Sequence, residues 1–391
     1  MAITVVAEVA ELKEELIATR RDLHRHPETA FQERRTGNLV ADRLASFGYS
    51  VQRDIAETGV VGILEGDIPG GPTVMIRADI DALPIQEVEG RAYSSLSPGT
   101  MHACGHDGHT SVGLAVAEIL SRYKGNIKGK VKLVFQPAEE IIAGAKRMVE
   151  EGVMSDPNVD KVLAFHMWPS LPVGKVVAQG GPIFSSVDEI NIEIKGKGGH
   201  GGLPHLSVDP VVIASHVVLA LQGLMSREIA PQPAVLGFGI IRGGSQFNII
   251  AEQVELTGNV RTFDENNRAF MLGRIQEISS MVASALRGEA VFHHVKGSPS
   301  VVNDLDVART VAGVASDVVG TENVITIPPA TVGDDAAYFL NEAPGCYFLM
   351  GCANLNRGIV APLHSPEFDI DEEVLPLATR ILAESALRYL T

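Results

Sequence analysis

Cysteine is scarce in this chain. Three thiols, Cys104, Cys346 and Cys352, in 391 residues do not make a disulfide framework. That shortage points to a reducing compartment, and the expected location is the cytoplasm. Basic residues are in deficit as well: 32 Lys and Arg stand against 48 Asp and Glu, a net charge of −16. Nucleic acid is therefore not an expected partner, because phosphate binding needs clustered Lys and Arg. No apolar run approaches the roughly 18 residues that cross a bilayer, so no membrane partner is expected either. The opening residues 1–10 are apolar but carry Glu8 and lack a basic leader, so they do not read as a secretory signal. Internal repeats and low-complexity tracts are also missing.

What is present is ordinary globular material. Hydrophobic residues make up 45% and charged residues 20%, enough apolar side chain for a sizeable core. The length suggests two domains. Helical periodicity covers residues 7–25, ending before Pro27, and 33–48, ending at Gly48. Apolar runs at 59–64, 73–76, 131–135 and 161–165 read as strands, with helical patterns at 110–123 and 141–152. Strands alternating with helices predict a mainly parallel sheet flanked by helices. Residues 184–297 keep a different rhythm. A strand at 190–194, a helix at 208–225, strands at 234–241 and 252–262, a helix at 265–287 and a strand at 290–296 give the order β-α-β-β-α-β, a small α+β domain. The first rhythm then resumes, with helices at 304–319 and 334–341, a strand at 346–350 and a last helix at 372–390. The fold class is α/β. The predicted division is one domain from 1–183 and 298–391, interrupted by an inserted domain at 184–297.

In open α/β sheets, function gathers beyond the C-terminal ends of strands. Three runs here end in metal-ligand chemistry. Residues 73–76 lead to Asp79 and Asp81, 131–135 to Glu139 and Glu140, and 161–165 to His166. A single acid after a strand is usually a solvated loop, but three coincidences in one sheet are harder to dismiss. Between them lies Met101-His-Ala-Cys104-Gly-His106-Asp107-Gly-His109. A lone Cys or His is most often a satisfied core residue. Cys104 and His106 together, with His102, Asp107 and His109 beside them, read better as thiolate and imidazole for zinc or another divalent transition metal. The Glu139-Glu140 pair permits one carboxylate to bind metal while the other serves as general base. Its bland alternative is a charged helix start. Further on, Leu363-His364-Ser-Pro follows the 346–350 run, and Asp369 and Asp371 read as surface acids.

These residues carry a resemblance. The sequence resembles the dinuclear metallohydrolases that include hippurate hydrolase, auxin-conjugate amidohydrolases, N-acyl-amino-acid aminoacylases and related carboxypeptidases. The matching stretches run in order from Asp22-Leu-His-Arg-His26-Pro-Glu through Ile76-Arg-Ala-Asp-Ile-Asp-Ala-Leu-Pro84 and Cys104-Gly-His-Asp-Gly-His109. They continue with Gln136-Pro-Ala-Glu-Glu140, His166, Gly199-His200-Gly and Leu363-His364-Ser-Pro. The resemblance implies a zinc-peptidase-like catalytic domain with an inserted lid or dimerisation domain. It implies Cys104, His106, Glu140, His166 and His364 as ligands of two divalent ions, zinc, manganese, cobalt or nickel. It makes Glu139 the general base, Asp81 an acid that orients a ligand, and His200 a group that stabilises the oxyanion from its own or a partner subunit. Many relatives carry His where Asp79 stands here, so Asp79 is not counted as a ligand. Asn248 matches a substrate-contacting amide. Arg261 fits a carboxylate clamp, with a sheet salt bridge as its equal alternative. At Gly333-Asp-Asp335 the family usually shows a Ser-Glu-Asp-like sequence, and no role follows.

The resemblance thus implies metal-dependent hydrolysis of the amide bond of an N-acyl amino acid, hippurate-like or N-acetylated, by a homodimer or homotetramer. Use of His200 would require domain closure, with hinges near 184 and 297. Three alternatives stay open: a dipeptidase or carboxypeptidase acting on short peptides, a deacetylase of N-acetyl-diaminopimelate, and a non-catalytic metal-binding protein that kept the fold.

Overall fold

The computed structural model describes residues 3–229 and 233–391. The chain divides into two compact units. The first comprises residues up to Ile183, Val302–Pro328 and Asp334–Thr391, and the second comprises Phe184–Val301 and Pro329–Gly333.

The first unit opens with helices α1 (Val6–Arg25) and α2 (Arg34–Ser46) and strands β1 (Ser50–Ile55), β2 (Gly59–Glu65) and β3 (Ile68–Asp79). Then come α3 (His106–Arg122), β4 (Lys128–Gln136), α4 (Gly144–Glu150), β5 (Lys161–Pro172), β6 (Val176–Val177) and β7 (Gly181–Phe184). The second unit holds β8 (Asp188–Lys195), β9 (Gly199–His200), α5 (Pro210–Arg227), β10 (Val235–Gly243), β11 (Ile249–Ile250), β12 (Gln253–Arg261), α6 (Glu265–Ala285) and β13 (Glu289–Lys296). After β14 (Val301–Asn303), the first unit is completed by α7 (Leu305–Val319), β15 (Val324–Ile325), α8 (Ala337–Glu342), β16 (Gly345–Ala353) and α9 (Val374–Leu390).

The large sheet of the first unit has the order β1-β2-β4-β3-β5-β16-β6-β15. Its centre is parallel: β3 pairs in parallel with β4 and β5, and β16 with β5. The sequence explains why these strands are central. Val74, Met75, Ile76 and Ala78 in β3 and residues 346–350 in β16 are buried without a break, which suits strands covered on both faces. Strand β1 escapes a reading by periodicity because its SVQRDI stretch is mostly exposed at a sheet edge. Helices α1, α3, α7 and α9 pack on one another, and their apolar stripes merge with the sheet into one core.

The second unit is a four-stranded antiparallel sheet in the order β10-β12-β8-β13, carrying α5 and α6. Ile190, Ile192 and Ile194 of β8 are buried, and the residues between them are not. That period of two sets which face receives the helices. Helix α5 corrects one expectation. It is 18 residues with a mean hydropathy of 1.3, long and apolar enough by composition to cross a membrane. It instead buries Ile213, Ala214, Val217, Leu221 and Leu224 against the sheet core. Its N-terminus is capped by Asp209, whose carboxylate accepts the Val211 N–H at 2.9 Å, with Pro210 in the first turn. Asp188, at the start of β8, pairs with Arg268 at 2.7 Å and pins α6 to the sheet.

Candidate metal centre

The candidate ligands come from four elements of the first unit. Cys104 and His106 flank Gly105, whose φ of +91° is open to glycine and whose Cβ would press on the Met167 side chain at 3.2 Å. His106 opens α3. His166 lies within β5, not after it: the strand continues to Pro172 because β16 keeps pairing with it, through a register shift, as far as Ala353 opposite Pro172. Glu139 and Glu140 follow β4. His364 holds a left-handed φ of +62°, and its N–H donates to the Ala103 carbonyl at 2.8 Å.

The donor atoms converge. Cys104, His106 and His166 bring their ligand atoms within 4.8 Å of one another, and so do Cys104, Glu140 and His364. The Cys104 Sγ is common to both trios, 3.5 Å from His166 Nε2. His364 Nε2 lies 3.2 Å from Glu140 Oε2. His106 Nε2 is 3.9 Å from a carboxylate oxygen of both Glu139 and Glu140. Asp81 braces two of the donors from behind. His106 Nδ1 lies 2.9 Å from the Asp81 carbonyl, and Asp81 Oδ2 accepts the Glu140 N–H at 3.0 Å.

The fit to a cation rests on this chemistry. His106 Nε2 and Glu140 Oε1 are buried and have no hydrogen-bond partner among the described residues, a costly arrangement unless something else binds there. The electrostatics agree. Burial opposes a charged His106, but Asp79, Glu140 and Asp81 outweigh it and push the imidazole up to about 10. Burial, with Glu140, Glu139 and Asp79 nearby, drives the Cys104 thiol well above its usual range. Burial and the neighbouring Asp334, Glu140 and Asp335 raise the Glu139 carboxyl in the same way. At these three groups the neighbouring carboxylates favour the protonated form, whereas at Glu140 burial is outweighed by His364 and His106, which lower its carboxyl. Thiolate, imidazole and carboxylate donors suit zinc or a related divalent transition ion.

Sequence reasoning passed over several groups that surround the ligands. Asp79 accepts from Arg77 at 2.6 Å, and His109 Nδ1 meets its other oxygen at 2.5 Å. The Met167 N–H donates to His109 Nε2 at 3.0 Å. His109 therefore carries its proton on Nδ1 and has no free lone pair for a metal. Asp334 and Asp335 lie with Glu139 inside 4.8 Å, held by Arg77, Gln136 and the Tyr347 hydroxyl. Asp369 and Asp371 are not surface acids. Asp369 accepts from Arg20 at 2.8 Å and Asp371 from Arg357 at 3.0 Å, and both are buried. No local periodicity marks such partners, because each comes from a distant part of the chain.

The other candidates belong to the second unit. His200 in β9 pairs with Ile249 of β11, and Gly201 N–H donates to the Asn248 carbonyl at 2.8 Å. A Cβ at Gly201 would sit 2.9 Å from that oxygen, so the close approach of the two stretches requires glycine there. The Gly202 N–H donates to His200 Nδ1 at 3.0 Å, which leaves the imidazole proton on Nε2. Arg261 donates to Thr331 and Asn259 within the same unit. It makes no ion pair among the described contacts, so the sheet salt bridge is not what engages it.

Comparison with known proteins places this geometry. Residues 75–388 match the model of peptidase family M20/M25/M40. The N-acetyl-L-cysteine deacetylase of Bacillus subtilis is 37% identical over 385 residues, 98% of this chain and 90% of that protein. Thermostable carboxypeptidase 2 of Saccharolobus solfataricus is 36% identical over 387 residues, 98% of this chain and 97% of that one. Among solved structures, the Bacillus subtilis YXEP protein, a dinuclear metal binding peptidase from the M20 family, superposes with a TM-score of 0.86. It is 33% identical, with 97% of this chain and 99% of that one covered. The chain belongs to the M20/M25/M40 peptidase family, whose amidohydrolases and peptidases are metal-dependent hydrolases.

Proposed function

We propose that this protein hydrolyses the amide bond of N-acyl amino acids at a centre of two divalent metal ions held by Cys104, His106, Glu140, His166 and His364. Zinc, manganese, cobalt and nickel all suit these donors. When bound, such ions lower the pKa of a bound water and polarise the scissile carbonyl. The chain's own residues do the rest. Glu139 takes the proton from the attacking water and returns it to the leaving amine nitrogen. Burial and the neighbouring Asp334, Glu140 and Asp335 raise its carboxyl, which makes it a stronger proton acceptor. Asp81 fixes the orientation of His106 and the backbone of Glu140. His200, with its proton on Nε2, donates to the oxyanion, and Asn248, joined to it through Gly201, contacts the substrate. Arg261 retains unpaired guanidinium capacity to bind the substrate carboxylate.

The observation that carries this reading is the divergence of two adjacent carboxylates. Glu140 is committed to His364 and shares a trio with Cys104, while Glu139 makes no bond to a ligand and faces His106 at 3.9 Å. Glu139→Gln should keep its metal and lose about 10³-fold or more in turnover. Full activity in that variant would remove Glu139 from the mechanism.

The carboxypeptidase relative favours a second reading, with a short peptide as substrate. A panel of N-acetyl and N-benzoyl amino acids, N-acetyl-diaminopimelate and dipeptides separates the two by kcat/KM. A homodimer or homotetramer is part of the proposal. Ile240 and Ile241 on edge strand β10, and Val211, Val212 and Leu219 on α5, are exposed apolar residues suited to a subunit contact. The proposed location is the cytoplasm, in keeping with three free cysteines.

A further inference from the structure

The loop at residues 137–143 carries both Glu139 and Glu140, and its backbone is bent against preference. Ala138 and Ile142 sit at φ +52° and +56°. A left-handed conformation costs a residue with a side chain about 1 kcal/mol or more, so the surroundings must enforce it. Three buried carboxylates from three distant segments do so. Glu33 Oε1 accepts the Ala138 N–H at 2.9 Å, Asp81 Oδ2 the Glu140 N–H at 3.0 Å, and Asp335 Oδ2 the Ala145 N–H at 2.9 Å.

Glu33 is the unexpected member. It stands at the N-cap of α2, where an acidic side chain ordinarily accepts from its own helix, yet it makes no capping bond. Glu28 takes that task instead and accepts the Arg35 and Thr36 N–H groups at 2.9 and 2.8 Å. Glu33 turns away, becomes fully buried, and spends its second oxygen on the Thr58 hydroxyl at 2.6 Å. A buried carboxylate is an expensive acceptor for one backbone N–H. Its placement is explained if the N–H it holds must not move.

We propose that Glu33 is a positioning residue for Glu139, acting through the Ala138 N–H to hold the turn that aims the Glu139 carboxylate at the metal centre. The inference rests on the reading of Glu139 as general base. It accounts for a stretch of the chain, between the Asp22–Glu28 motif and α2, that supplies no ligand. Glu33 touches neither substrate nor metal ligand, so its effect passes entirely through the loop.

The test uses Glu33→Ala and Glu33→Gln in the metal-loaded protein, beside Glu139→Gln. Glu33→Ala should lose about tenfold or more in kcat, as small misplacements of reacting groups do. KM should stay within about twofold, metal content should be unchanged, and hydrogen exchange at the Ala138 amide should speed up. Glu33→Gln should restore both kcat and slow exchange, since its amide oxygen can accept from Ala138 and its NH2 can donate to Thr58. If Glu33→Ala does not fold, Glu33→Asp keeps the charge but falls short of Ala138 and should show the same kcat loss. Wild-type kcat in the Ala or Asp variant, with Glu139→Gln inactive, would overturn the role of Glu33 and leave the base assignment standing. A kcat loss that Gln does not restore, or that follows loss of metal, would overturn it as well. A fully active Glu139→Gln would instead overturn the reading on which it rests.

Discussion

His106 and Asp107 are neighbours in the chain, yet they serve buried charge clusters built on opposite principles. Around Asp107 the charged groups are matched, although the ring nitrogens of the buried His102 beside it have no partner among the described residues. Arg20 donates to Asp107 at 2.8 Å, to Asp369 at 2.8 Å and to Glu372 at 3.4 Å, and His24 bridges Asp107 and Glu87 at 2.7 and 3.2 Å. Arg20, His24 and Asp107 are fully buried, and this network fastens the start of α3 to α1. Around His106 the count does not close. Its Nε2 and an oxygen of Glu140 lack partners, and carboxylates crowd a thiol that burial keeps protonated. The charges of one cluster close as the chain folds, and those of the other close only with added positive charge. The difference marks the functional site more sharply than burial or charge alone.

The comparison can be broken at its strongest point. Arg20→Ala removes the buried guanidinium that Asp107, Asp369 and Glu372 share and should cost about 3–5 kcal/mol in unfolding free energy, measured by urea titration. Burial acts against the Asp107 charge, but Arg20 and His24 outweigh it and hold the carboxyl well below its usual range. A depressed carboxyl stabilises the fold above its unfolded value of about 3.9, and that contribution fades as pH falls further. The gap between wild type and Arg20→Ala should therefore narrow in acid.

A smaller effect sharpens the other side. A divalent ion at about 100 times its dissociation constant should stabilise the wild-type chain by about 2.7 kcal/mol per independent site. Glu140→Gln should lose most of that gain in the same melting experiment.

The smallest effect has the opposite sign from most substitutions. In the metal-free chain Glu139→Gln should be neutral or stabilise by about 1 kcal/mol, because it removes one of several crowded charges. Burial first, and then Asp334, Glu140 and Asp335, raise the Glu139 carboxyl. A raised acid stabilises most below its unfolded value of about 4.3 and loses that contribution as pH rises. The benefit of Glu139→Gln should thus be larger at neutral pH than in acid.

The fold class and the convergent donors were legible for a shared reason: both are written locally. Continuous apolar runs mark the central strands, and Cys104, His106, Glu139 and Glu140 lie within a few residues of strand or helix ends. What stayed hidden depends on pairs far apart in the chain. Asp369 looked solvated because its partner Arg20 is 349 positions away. Glu33 carried no signal of its own, because its partners Thr58 and Ala138 are 25 and 105 positions away. Asp79 had no partner legible in the sequence, and Arg77 and His109 show how its charge is satisfied. The two-residue strands β6 and β15 exist through pairing alone and have no pattern to read.

The central claim is that the centre around Cys104 takes two divalent ions and works only when they are present. The direct measurement strips the protein with a chelator and adds back manganese, cobalt, nickel or zinc while following release of amino acid from N-acetyl and N-benzoyl substrates. Turnover should be lost on stripping and should saturate near about two equivalents of ion per chain. Turnover that survives complete removal of metal, or that saturates at a single equivalent, would contradict the account.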